Sequence, residues 1–249
     1  MQIKCGVLFS ADMRKTIKTG EWLTDQHMSL AQEILKGQFS HIDGWQSTLL
    51  VQIDRFIPTK GEAIQIHLVS DSHWVTSSSL GGKVTVYDCR KYNGRLSSTL
   101  THQLCQVYRT MIEESDDKQN AYLAVHIPQV QRQCGSSDCG VFAIAFALHA
   151  ALGHCVGDIT FDQSKMRDHL LQCFKKRKLT PFPTVDKKAR KRAESYIEVK
   201  VDVFCTCMMP DTYGDMVQCS TCQRWYHLKC ADLLSLPSED EWWCCSSCT

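Results

Sequence analysis

Eight sulfur and imidazole ligands stand in a fixed order near the end of this chain. They are Cys205-x-Cys207, Cys219-x₂-Cys222, His227-x₂-Cys230 and Cys245-x₂-Cys248. Pairs this close deliver two ligands from one tight turn, and zinc takes four soft or borderline ligands in a tetrahedron. Eight ligands therefore imply two Zn²⁺ ions. So short a segment cannot bury enough apolar surface to hold itself together, so metal–ligand bonds stand in for the missing core.

At 249 residues the chain has room for one medium domain beside this segment. A hydrophobic content of 43% is that of a globular protein, and a net charge of +1 selects no partner class. Met1 to Leu30 holds no apolar run of secretory-signal length, and no stretch approaches the roughly 18 apolar residues of a membrane span. No membrane partner is expected. Fifteen cysteines without a secretory signal read as zinc ligands and free thiols in a reducing compartment.

Residues 21–37 predict a helix capped by Thr24 or Asp25, with Met28, Leu30, Ala31, Ile34 and Leu35 on its apolar face and Gly37 as its stop. Strands are expected over Ala63–Ser70 (alternating), Trp74–Ser77, Lys83–Asp88 and Tyr122–Ile127, and amphipathic helices over 98–114 and 162–175. The run Cys139–Leu152 is apolar on nearly every face and too short to span a membrane, which predicts a buried central helix. From Lys175 to Arg192 the chain is basic and punctuated by proline, the composition of a linker. This stretch reads as a nuclear-import signal, as a patch that touches nucleic-acid phosphates, or as a solvated tether. The cationic block is too short and too isolated from aromatics for sequence-specific nucleic-acid recognition to be expected.

Cys139 opens the buried helix. Unpaired N–H groups and the helix dipole favour a thiolate there, and the thiolate is the nucleophilic form. A thiol nucleophile needs a histidine to share its proton, a group to orient that histidine, and donors for the oxyanion. His73, Asp88 and Gln133 offer these in turn. Each alone also reads as a structural residue.

Together they resemble the papain-like cysteine proteases that process ubiquitin-like modifiers, the Ulp/sentrin-specific protease family. The resemblance covers roughly residues 15–175 and rests on Trp22-Leu23-x-Asp25, His73-Trp74, Val86-Tyr87-Asp88, and Gln133 with Cys139-Gly140 inside SDCG. It implies an α+β papain-like fold. It also implies Cys139 as nucleophile, His73 as general base and acid, Asp88 as its orienter and Gln133 as an oxyanion donor. Trp22 and Trp74 match tryptophans that clamp the modifier's diglycine tail, a slot only residues without side chains can thread.

The order four cysteines, histidine, three cysteines resembles a PHD finger, with Trp243 at the family's tryptophan position. A RING module has its histidine fourth, whereas His227 is fifth. The PHD resemblance implies interleaved pairing: Cys205, Cys207, His227 and Cys230 on one zinc, Cys219, Cys222, Cys245 and Cys248 on the other. TYGDMVQC (Thr212–Cys219) and RWYH (Arg224–His227) are similar to the inhibitor-of-growth type. That similarity implies a methyl-lysine cage of Phe204, Met216 and Trp225, with Tyr213 as a further wall and Asp211 and Asp215 for basic residues of a histone H3 tail. The expected organisation is a protease domain over 1–175, a basic linker over 176–197 and a finger over 198–249. The expected function is a nuclear isopeptidase acting on a ubiquitin-like modifier. The alternative is an inactive protease-like domain serving as a chromatin adaptor.

Overall fold

The computed structural model describes residues 6–69, 73–114, 121–185, 196–238 and 241–248. Helix α1 (Ala11–Thr19) has no counterpart among the expected elements. Ser10 caps it, its hydroxyl accepting from the Met13 amide at 3.2 Å, and Gly20 ends it at φ 76°. Only Met13 and Ile17 are buried, too sparse a stripe to stand out in the sequence. Helix α2 (Asp25–Gln38) is the expected one, capped by Thr24, with all five apolar-face residues buried. Gly37 does not stop it. The Gln38 side chain bonds both the amide and the carbonyl of Leu179, at 2.7 and 2.9 Å, which holds the last turn together.

Seven strands form one mixed sheet: β1 (Asp43–Gly44), β2 (Ala63–Val69), β3 (His73–Ser78), β4 (Val84–Tyr87), β5 (Glu113–Glu114), β6 (Ala121–Pro128) and β7 (Tyr196–Val203). The order is β1-β2-β3-β4-β6-β5, and β7 pairs with β6. The β2–β3 ladder runs antiparallel from Ile64↔Ser78 to Val69↔His73. β2 is buried along its first five residues and does not alternate, because both faces are covered. Ile64 and Ile66 enter one core with α2, α4 (Cys139–Ala151) and α5 (Gln163–Lys176). Ala63 enters a second core with α3 (Ser98–Val107).

α4 is buried from Cys139 through Ala150, as its composition predicts. The Thr76 hydroxyl donates to the Ala143 carbonyl at 2.7 Å and fastens the helix to β3. α3 is shorter than the expected 98–114. Tyr108 is fully buried with its hydroxyl 2.6 Å from Ser77 Oγ, and this anchor turns the chain toward β5, which pairs with the start of β6.

The segment read as a linker behaves differently at both ends. Leu179 and Phe182 are buried in the first core, and Thr184 bridges to Phe161. Residues 196–203 are a strand of the large sheet, pairing with β6 from Ala121↔Val203 to Pro128↔Tyr196. The composition is basic, but two aromatic or aliphatic anchors and an alternating valine pattern override it. The KKARKR run, with its import reading, lies outside the described residues.

β7 leads straight into the finger, whose strands β8 (Met216–Gln218) and β9 (Trp225–His227) pair antiparallel. Val201, Val203 and Met209 share the second core with Leu104, Val107 and Leu123. His102 on α3 stacks edge-on to Tyr213 at 5.3 Å and meets the Thr212 hydroxyl at 3.0 Å. Arg109 donates to the Thr206 carbonyl at 3.1 Å. The finger is thus docked and not merely tethered. Deleting 196–249 removes three buried apolar side chains and bares the edge of β6. It should cost the first domain roughly 6 kcal/mol, at about 2 kcal/mol per buried side chain. Denaturant unfolding of the shortened and full chains measures this; unchanged stability would mean the docking contributes nothing.

Candidate active site and zinc centres

Three elements meet at one point: the start of β3, the end of β4 and the N-terminus of α4. His73 is buried at the first position of β3, and its Nε2 lies 2.6 Å from Asp88 Oδ1. Asp88 also accepts the Arg90 amide at 2.7 Å, so the carboxylate is held from two directions. His73 Nδ1 is buried with no hydrogen-bond partner among the described residues. The Cys139 thiol is its neighbour, close enough for each to shift the pKa of the other.

Burial alone raises the Cys139 pKa. The neighbouring His73 imidazole, the Trp74 backbone, and the charges of His73 and Arg90 together outweigh it, so the thiol sits below its ordinary value. Burial likewise lowers the His73 pKa, but the bond to Asp88, the neighbouring Cys139 thiol and the Asp88 charge reverse the sign, and its pKa is raised. A lowered thiol beside a raised imidazole brings the two groups closer in proton affinity, which increases the share of the thiolate–imidazolium pair.

Asp138 stands at the N-cap position of α4 but makes no capping bond with its side chain. Its carboxylate is taken by Arg167 and by Gln163, each at 2.6 Å. The first amides of α4 therefore keep no side-chain acceptor, the condition for an oxyanion site. Gln163 also bonds both the amide and carbonyl of Cys134 at 2.8 Å, which fixes the loop before Cys139. Gln133 is half-buried. Its amide oxygen accepts from Cys89 Sγ at 3.6 Å, and its amide nitrogen has no partner among the described residues. Cys89, Gln163 and Arg167 were not singled out by the sequence. They carry no motif of their own and matter only through what they hold.

Trp74 is buried, its Nε1 donating to the Leu23 carbonyl at 2.9 Å, while Trp22 next door is 50% exposed. Gly140 lies beneath them. A Cβ there would come within 2.7 Å of Met28 Cε and 3.1 Å of Trp74 Cδ1, so only glycine lets the helix approach this closely.

In the finger the eight ligands fall into two clusters, Cys205, Cys207, His227 and Cys230, and Cys219, Cys222, Cys245 and Cys248. Within each cluster all ligand atoms lie within 4.8 Å of one another. The residues fit zinc. His227 Nε2 lies 3.0 Å from the Pro210 carbonyl, which sets the proton on Nε2 and leaves Nδ1, 3.2 Å from Cys207 Sγ, to face the cluster. The pairs interleave along the chain, so each zinc clips two separated turns together. Trp243 packs on Tyr226 at 5.6 Å.

A profile of the PHD-finger family matches residues 205–248. Transcription initiation factor TFIID subunit 3 of Xenopus laevis is 40% identical over 42 residues, and that of Gallus gallus 39% identical over 46. The matched stretches are 17% and 18% of this chain and 5% of each relative. Among solved structures, SUMO protease Ulp1 with its catalytic cysteine oxidised to a sulfonic acid is similar at a TM-score of 0.50 and 12% identity, over 68% of this chain and 84% of that one. Its sulfenic-acid form gives 0.51 and 12%, over 70% and 86%.

The chain joins an Ulp1-like protease fold to a C-terminal PHD finger. It holds two cross-braced ligand sets for two structural zinc ions.

On the PHD finger, Phe204 and Trp225 line one cavity of about 150 Å³. Met208 lines it too and Met216 does not, although Met216 shares a sheet face with Trp225 through the β8–β9 register. Glu114 and Ala121 of the Ulp1-like domain close its other side. Tyr213 is not a wall: it lies between His102 and His227, at the junction with the first domain. Asp211 Oδ1 accepts the Thr212 amide.

Two measurements check this geometry. Iodoacetamide alkylation of Cys139, followed by peptide mapping, should show an apparent pKa below the 9.0 of an ordinary thiol. His73→Ala should move it up, since burial then acts without its largest counterweight. Native mass spectrometry of the full chain should find two zinc ions, and Cys222→Ser should lose one while Cys205, Cys207, His227 and Cys230 keep theirs.

Proposed function

We propose that the protein is a cysteine isopeptidase that cleaves after the C-terminal diglycine of a ubiquitin-like modifier. We further propose that its PHD finger brings it to chromatin by reading a histone H3 tail, and that it works in the nucleus. The observation that carries the first part is His73 bonded to Asp88 beside the Cys139 thiol, with that thiol shifted down and the α4 amides without a side-chain cap. The similar Ulp1 structures name a catalytic cysteine and SUMO as substrate, which supports the same class here.

In this reading His73 takes the thiol proton and Cys139 Sγ attacks the carbonyl carbon of the terminal glycine. The oxyanion is met by amides at the start of α4 and the free amide nitrogen of Gln133. The C–N bond breaks, the imidazolium gives its proton to the leaving lysine amine, and a thioester remains. Water, deprotonated by His73, then releases the glycine carboxylate and restores the thiol. Asp88 keeps the imidazole in orientation and favours its charged form. Trp22 is exposed and precedes Leu23, whose carbonyl the buried Trp74 bonds, which supports a slot there for a tail without side chains.

Full-length modifiers of the SUMO, ubiquitin and NEDD8 class bearing C-terminal electrophiles provide the test. One of them should label Cys139. Cys139→Ser should abolish labelling and cleavage, His73→Ala should nearly do so, and Asp88→Asn should keep partial activity. Labelling at the exposed Cys134 instead would overturn the assignment.

For the finger, an aromatic cavity bounded by Phe204 and Trp225 with a methionine beside it supports a methylammonium pocket. A trimethyl-lysine H3 peptide should bind more tightly than the unmodified one, and Trp225→Ala should erase a difference of roughly 1–2 kcal/mol. Equal affinities by calorimetry would remove the methyl-lysine reading and leave the zinc fold standing.

A further inference from the structure

A cavity of about 610 Å³ opens beside the dyad. His73 and Asp88 line it, but Cys139, Trp22 and Trp74 do not. It therefore lies beyond the imidazole on the Asp88 side, opposite the thiol. Arg90, Lys91, Arg95 and Arg132 also line it, all exposed. Among the described residues none of the four forms an ion pair. Asp88, the one acid among the described lining residues, is already engaged by His73 and the Arg90 amide. Four uncompensated cations thus ring a concave surface that ends at the reacting histidine.

The position decides what enters. A histidine that protonates the departing amine stands on the leaving-group side of the nucleophile. In the isopeptidase reading, the chain that departs with the lysine passes His73 toward this space. We infer that the cavity binds an acidic segment of the conjugated protein, with carboxylates flanking the lysine from which the modifier is released. This rests on the isopeptidase reading above and adds selection among conjugates to it. A phosphodiester backbone has the same charge, but the dyad itself forms one wall, so the occupant is part of what is cleaved.

The test uses the full chain and whichever modifier labels Cys139. That modifier is joined through its terminal glycine to the lysine of two fluorescent peptides, one with aspartate and glutamate on both sides and one with serine and glutamine there. Its aminomethylcoumarin amide serves as the reference. The acidic adduct should show kcat/KM about tenfold above the neutral one at low salt, the combined effect of a few partly exposed ion pairs. The advantage should shrink as ionic strength rises. The triple variant Lys91→Gln, Arg95→Gln, Arg132→Gln, which spares Arg90 because its charge acts on Cys139, should lose the preference and hydrolyse the coumarin amide as before. Equal rates on the two peptides, or a preference retained by the triple variant, overturns the inference while leaving the isopeptidase reading intact. No cleavage of any adduct, the coumarin amide included, overturns both. A single-stranded DNA oligonucleotide whose binding is lost in the triple variant, with no peptide preference, overturns it in favour of nucleic acid.

Discussion

The close approach of α4 to β3 sets most of the protease-like half. Gly140 leaves room for Trp74 and Leu23 against the first turn of the helix, and Thr76 bonds the Ala143 carbonyl one turn further on. Cys139 precedes Gly140, and His73 precedes Trp74. Once those two neighbours touch, the thiol and the imidazole have no other place to be. The β3–β4 register, Thr76↔Tyr87, then brings Asp88 to the far nitrogen of the same ring. A buried helix is a precise support for such a site, because a close-packed core allows little play.

Burial opposes charge at this centre, and the local bonds overcome it. Desolvation acts on both His73 and Cys139 against their ionised forms, yet both shift toward them. The Asp88 charge favours the imidazolium, while Arg90 favours the thiolate and opposes the imidazolium. The same logic explains Asp138. At the cap of a helix its carboxylate would ordinarily satisfy an amide, but Arg167 and Gln163 take it away. The helix end keeps its free donors at a small cost in capping energy.

The finger uses a different source of stability. It has few buried side chains of its own, and Cys219, Cys245 and His227 are among the most enclosed residues there. Zinc organises that interior, while Met209 and the last residues of β7 sink into the core of the protease-like domain. One strand therefore belongs to both halves. Glu114 and Ala121 of the first domain also complete the cavity that Phe204 and Trp225 begin. Whatever the finger holds there meets a surface built jointly.

Ligand chemistry and short motifs made much of this visible in advance. Cys and His at fixed spacing can do little else in a segment with no core, so both zinc sets were legible. The all-apolar run Cys139–Leu152 could only be a buried helix, and its N-terminal cysteine became a candidate nucleophile only together with His73, Asp88 and Gln133. Other features had no local signal. Composition gave the stretch after Lys175 the look of a tether, while Leu179, Phe182 and the valines of β7 found partners only across the fold. Met208, not Met216, lines the aromatic cavity, and Tyr213 turned toward His102, because docking of the finger sets which faces are covered. By itself the sequence determined which atoms bind metal and which thiol begins the central helix, since these follow from residue chemistry and spacing. Only the tertiary structure decided where the halves join and which charges surround the dyad, since those depend on which distant segments the sheet brings to the same edge.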